Sequence, residues 1–68
     1  MVNNLKTARE QKSLTQEQLA NWVGVSRQSI ISIEKGHYVP TTILALKIAS
    51  VLKIKLEDIF KLEKSDWS

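Results

Sequence analysis

The chain has no cysteine, one histidine, one proline and two glycines in 68 residues. Without cysteine there is no disulfide scaffold, no thiolate zinc site and no thiol nucleophile. The lone His37 has no second ligand of its kind, so no metal and no cofactor is expected. No apolar run approaches the roughly 18 residues that cross a bilayer. The opening MVNNLKTARE lacks the apolar stretch of a signal peptide. These absences point to a cytoplasmic protein with no membrane contact and no evident small-molecule ligand. At this length residues 1–68 read as one domain, with no room for a dinucleotide-binding fold or a cleft between domains. A core this small commonly needs a staple. With disulfides and metals gone, oligomerisation is the staple left.

Catalytic groups are equally sparse. The serines and His37 have no acidic partner in a position to complete a triad. Glu57 and Asp58 are adjacent, so on a helix they do not share a face, and they read as first-turn carboxylates favoured by the helix dipole. An enzyme is not expected.

Hydrophobic residues make up 43% of the chain and charged ones 25%, which is too apolar for disorder. The charge is unevenly spread. Residues 1–55 carry eight basic groups against three acidic ones, a balance of +5, and residues 56–68 carry −2. A basic body with an acidic end suits a polyanionic partner.

Apolar spacing is mostly three and four, the signature of short helices. The first spans about Asn4 to Lys12, with Asn3 or Asn4 as cap. The second begins at Thr15, where Thr15-Gln16-Glu17-Gln18 forms a capping box, and stops at Gly24. Its inner stripe is Leu19, Ala20 and Val23. The third starts at Ser26, turns Ile30 and Ile33 inward, and ends at Gly36. A loop through Pro40 leads to a fourth helix from Thr41 to about Lys53, with Leu44, Ala45, Ile48, Ala49 and Leu52 inside. A fifth covers Leu56 to Phe60. Met1–Asn3 and Phe60–Lys64 read as two strands of a small antiparallel ribbon, with frayed ends as the alternative. Ser65–Ser68 reads as loose, with Trp67 able to dock on apolar surface. Trp22, beside Val23 on the second helix, reads as packing or partly exposed surface.

The pair at about 15–35 carries the functional signal. Two helices joined by a very short glycine turn cross at a large angle and push the start of the second away from the body. That start bears Ser26, Arg27, Gln28, Ser29, Ile31 and Ser32. Arginine forks onto guanine, glutamine pairs with adenine, and serines reach bases or phosphates. The helix N-terminus also favours phosphate. A solvated amphipathic face has a similar composition.

The run LTQEQLANWVGVSRQSIISIEKGHYVPTTILALKIA, with Leu56-Glu57-Asp58-Ile59-Phe60 after it, resembles the phage-repressor-like helix-turn-helix family, the Cro/C1 or xenobiotic-response-element class. The resemblance spans about residues 4–60. It implies an all-α, five-helix, lambda-repressor-like fold and a regulator of transcription, acting as a repressor on a palindromic operator of double-stranded DNA. It places Ser26, Arg27, Gln28 and Ser32 at base edges. Gln16, Ser29, Lys35 and Tyr38 fall at phosphates, with His37 as a further candidate. Arg9 and Glu34 match a structural ion pair. Ile31 stands where the family is polar; it either touches a thymine methyl or sits at the protein edge. Thr42 and Ile43 depart from the family pattern at the start of helix four.

Ile43, Leu46 and Val51 lie outside the core stripe of helix four, and Val39, Leu56, Phe60 and Leu62 add apolar surface. So much exposed apolar area implies a homodimer, formed through Val39, Leu56, Phe60 and Leu62. Two-fold symmetry then presents two recognition helices about one DNA turn apart. The protein would be nucleoid-associated when bound. An alternative keeps the fold but makes the chain an antitoxin or accessory subunit whose main partner is another protein.

Overall fold

The computed structural model describes residues 1–67. Ser68, which the sequence reading included in a loose tail, lies outside the described residues. In chain order the elements are β1 (Val2–Asn3), α1 (Leu5–Gln11), α2 (Gln16–Val23), α3 (Arg27–Glu34), α4 (Thr42–Leu52), α5 (Leu56–Ile59) and β2 (Phe60–Lys61), followed by a 3-10 turn at Lys64–Trp67.

Helices α1 to α4 start where side-chain oxygens take orphan backbone donors. The Thr15 hydroxyl accepts from the Gln18 N–H at 3.0 Å, and the Gln18 side chain accepts from the Thr15 N–H at 2.8 Å. The Ser26 hydroxyl accepts from the Ser29 N–H at 3.1 Å, and Thr41 does the same for Leu44 at 3.2 Å. At α1 the cap is Asn3, whose side-chain oxygen accepts from Leu5 N–H at 2.9 Å. Asn4 makes no side-chain cap. Its N–H instead donates to the Ile59 carbonyl, tying the start of the chain to α5.

Four helices end by one device, a left-handed residue that lets the next N–H reach back over the last turn. After α1 the residue is Ser13 at φ +58°, and Leu14 N–H bonds the Arg9 carbonyl. After α2 the residue is Gly24 at φ +78°, and Val25 N–H bonds the Ala20 carbonyl. After α3 it is Gly36 at φ +76°, and His37 N–H bonds the Ser32 carbonyl. After α4 it is Lys53 at φ +55°, and Ile54 N–H bonds Ala49.

One face of each helix meets in a shared core. Leu5, Leu19, Ile30, Ile33, Ile48, Leu52 and Ile59 are fully buried. They fix α3 against α2, and α2 against α4. Truncating a fully buried isoleucine such as Ile30 to alanine costs about 2–5 kcal/mol, so the placement of α3 rests on this packing.

The chain ends differ from the sequence expectation. The ribbon forms, antiparallel, with Val2 opposite Lys61 and Asn3 opposite Phe60. It stops after two residues per strand rather than running to Lys64; beyond it the Glu63 N–H is taken by the Asp66 carboxylate at 2.7 Å, next to the 3-10 turn. Residues 64–67 are therefore ordered into a turn, not loose. Trp67 is 77% exposed among the described residues, so the expected docking on apolar surface is not seen there. The helix boundaries also tighten by one residue at several ends, as with Thr41 serving as cap to α4 and Phe60 leaving α5 for β2. No described helix is long and apolar enough to cross a membrane.

Candidate nucleic-acid interface

The turn between α2 and α3 is only Gly24, Val25 and Ser26. Gly24 takes the left-handed conformation, Val25 is half-buried against the core, and Ser26 caps the next helix. Arg27 and Gln28, the first two residues of α3, are exposed, so its first turn faces outward.

The successive side chains of α3 step round its axis by about 100°. Ile30 and Ile33, both 0% exposed, define the core side. Gln28 lies nearly opposite. Ile31 and Ser32 flank it, and Arg27 lies beyond Ile31. Arg27 and Gln28 are exposed, whereas Ile31 and Ser32 are half-buried. Among the described residues, neither the Arg27 guanidinium nor the Gln28 amide is engaged by any other side chain or by backbone. An arginine and a glutamine held on a capped helix with every donor and acceptor open form a hydrogen-bonding surface without an internal role.

The serines differ. Ser26 Oγ is already engaged as the cap and lies 3.0 Å from Ser29 Oγ. The pair forms one hydroxyl cluster at the helix start. With Gln28, Ser32 and Tyr38 it lines a shallow groove. Lys35, His37 and Tyr38 are exposed just past the other end of α3. The Schellman turn at Gly36 holds them there.

Behind this face sits a buried polar brace. Arg9 Nε donates to Glu34 Oε2 at 2.7 Å and its Nη2 to Oε1 at 3.2 Å. The two side chains are 9% and 5% exposed. The hydrogen bonds to Glu34 hold the Arg9 guanidinium above its ordinary pKa. Arg9 Nη1 also donates to the Leu14 carbonyl, and Gln16 Nε2 donates to Glu34 Oε1 at 3.2 Å. The α1–α2 turn, the start of α2 and the end of α3 are thus tied at one carboxylate. Gln16, expected at a phosphate and as a brace, is half-buried with its amide on Glu34. The Asn3 side chain donates to the Ile33 carbonyl, a second tie to α3 from 30 residues away. No local pattern signals that bond, because its partner is a backbone group set by the tertiary fold.

The residues expected at a dimer surface are scattered in exposure. Val39 is 64% and Leu62 63% exposed, while Leu56 and Phe60 are half-buried, with Phe60 packed on the core. Ile43 and Leu46 are 69% and 52% exposed on α4, and Thr42 is exposed at its start. Val51 is half-buried against the core, so it is not surplus apolar surface. Trp22 is 70% exposed, so it is mainly surface.

This geometry has relatives. The helix-turn-helix family model matches residues 5–59. An HTH-type transcriptional regulator of Methanocaldococcus jannaschii is 53% identical over 66 residues, covering 97% of this chain and 100% of that protein. The HTH-type transcriptional regulator YgzD of Bacillus subtilis is 46% identical with the same coverage. In the crystal structure of the restriction-modification controller protein C.AhdI from Aeromonas hydrophila the fold recurs at a TM-score of 0.78 and 32% identity, over 84% of this chain and 86% of that one. These relatives are regulators, not enzymes. The chain therefore belongs to the helix-turn-helix family of Cro/C1-type transcriptional regulators, with the helix-turn-helix as its DNA-binding part.

Proposed function

We propose that residues 1–68 act as one DNA-binding domain that binds a palindromic operator as a homodimer and represses transcription by occluding the promoter, in the cytoplasm and on the nucleoid. The observation that carries this reading is the open Arg27–Gln28 pair on the outward first turn of α3. Placed in a major groove, Arg27 forks onto guanine and Gln28 onto adenine, with Ser26, Ser32 and Ile31 beside them at base edges. Gln16, Ser29, Lys35, Tyr38 and His37 ring this face and take phosphates. They set register and orientation without reading sequence. Each cation that neutralises a phosphate steepens the fall of affinity with salt, by about 0.9 in the log–log slope.

Dimerisation follows from the surface left over. The exposed Val39 and Leu62, with the half-buried Leu56 and Phe60, supply apolar area for a second copy. Two copies present two α3 helices to successive turns of one duplex face, about 34–36 Å apart. Selection from randomised duplex DNA tests the whole reading, with sedimentation of the free protein as its companion. A two-fold symmetric motif and a dimer at tens of micromolar support it. A monomer at that concentration contradicts the dimer.

A further inference from the structure

We propose that Ile31 reads the C5-methyl group of a pyrimidine in each half-site, so that the protein takes a 5-methylpyrimidine (thymine or 5-methylcytosine) at that position. This rests on the DNA-binding reading above and names the base class that one residue of the site selects.

Among the described residues, Ile31 is not one of the apolar side chains that build the core. The core side of α3 is complete with Ile30 and Ile33, both 0% exposed. Leu14, Val25, Ala49, Val51, Ile54 and Phe60 pack on that core as half-buried apolar residues, and Ile31 is not among them. It is half-buried beside the open side chains of Arg27 and Gln28, four and three residues before it on the same helix. It is thus the apolar member of an otherwise polar reading face.

In a groove such a side chain acts in one way. It makes no hydrogen bond, so it gains only by covering another apolar group. The base edges of the major groove offer one such group, the methyl on C5 of thymine. A polar base edge set against Ile31 would lose water without gaining a partner, which is unfavourable. Attraction to a methyl and rejection of a bare edge come from the same contact. Ile31 is displaced about 4.5 Å along the helix axis from Gln28, on the order of one base step of 3.4 Å. The methyl therefore belongs to a pyrimidine one or two steps from the purine that Gln28 reads. Because the contact senses the methyl and not the rest of the pyrimidine edge, methylation of a cytosine placed there has the same effect as thymine.

The test uses the full-length protein and the operator recovered by selection. Each thymine of a half-site is replaced in turn by deoxyuridine, which removes the methyl and leaves base pairing intact. Burial of one methyl corresponds to about a fourfold change in affinity per half-site, and about fifteenfold for both together. We expect one position with that loss in wild-type protein, no such loss in Ile31→Ser, and recovery when cytosine at that position is exchanged for 5-methylcytosine. The wild-type scan needs no variant, so it stands whether or not Ile31→Ser folds. A symmetric operator with no methyl-sensitive position, or one equally sensitive in folded Ile31→Ser, overturns this inference and leaves operator binding intact. Recovery of no operator at all overturns operator binding and this inference with it.

Discussion

Arg9 at the end of α1 and Glu34 at the end of α3 meet through two hydrogen bonds, at 2.7 and 3.2 Å, with both side chains nearly closed to solvent. The pair fixes α3 to the body from behind, and Gln16 joins it on the same carboxylate. Removing one partner leaves the other charge buried and unpaired, which costs about 3–5 kcal/mol. A chain of this size has only about 3–10 kcal/mol of stability. Glu34→Ala is therefore expected to unfold much of the population at 25 °C. Arg9→Met with Glu34→Leu is expected to lose far less than the sum of the single changes. Urea denaturation of wild type, Arg9→Met, Glu34→Leu and the double variant checks the coupling, and that of Glu34→Ala the loss; additive losses would mean that the pair is not coupled.

Helix termination gives a reciprocal pair of predictions. Gly24 sits at φ +78° with open space where a Cβ would stand, so Gly24→Ala meets no clash and costs only left-handed strain, about 1–2 kcal/mol. Lys53 already bears that strain at φ +55°. Lys53→Gly is expected to stabilise by up to about 1 kcal/mol, the relief being offset in part by a freer unfolded chain. Thermal unfolding should move in opposite directions for the two. A fall in Tm for Lys53→Gly would show that the side chain has a role beyond the turn.

On the proposed reading, Arg27 sets sequence choice and Lys35 sets affinity. Arg27→Ala should cost roughly 1–3 kcal/mol on the selected operator and relax the motif at one position per half-site. Lys35→Ala should weaken all duplexes alike and flatten the salt slope by about 1 per half-site. Competition binding over a salt series distinguishes them, and a sequence-selective loss in Lys35→Ala would contradict its assignment to phosphate.

The clasp between the chain ends has a defined pH window. The Met1 ammonium lies 2.6 Å from Glu63 and 3.1 Å from Asp66. Those carboxylates raise the amine above its ordinary value of 8.0, with Glu63 the larger cause. The Glu63 N–H, then the ammonium, hold Asp66 below its ordinary 3.8. A raised amine contributes fully below pH 8.0 and loses its contribution as pH rises through the shifted value. A lowered carboxyl contributes above pH 3.8 and loses it as pH falls through the shifted value. The clasp is thus strongest between those limits. NMR titration should show Asp66 protonating below an isolated aspartate; protonation at or above 3.8 would rule the clasp out in solution.

Sequence pattern alone reached the elements whose causes are local. The Thr15 capping box, the Ser26 cap and the glycines that end α2 and α3 are written within four residues of where they act. Lys53 was not legible as a left-handed stop, since nothing in its residue type announces positive φ. The turn after the ribbon depends on Asp66 capturing the Glu63 N–H, and the Asn3–Ile33 bond spans 30 residues. Neither leaves a periodic trace. On the candidate site, α3 told which side chains face outward, but not that Arg27 and Gln28 stay unengaged while Ser26 and Ser29 bond each other. That distinction needs three-dimensional neighbours.

The outward face of α3, doubled by a two-fold axis, is proposed to read an operator. Salt-titrated selection from randomised duplex DNA, with sequencing of the bound pool, tests it most directly. The expected result is a symmetric motif whose half-sites lie about 10–10.5 base pairs apart, centre to centre, with affinity falling as salt rises. Binding without an enriched motif, or no binding at moderate salt by the folded protein, would contradict it and transfer the function of this fold to a protein partner.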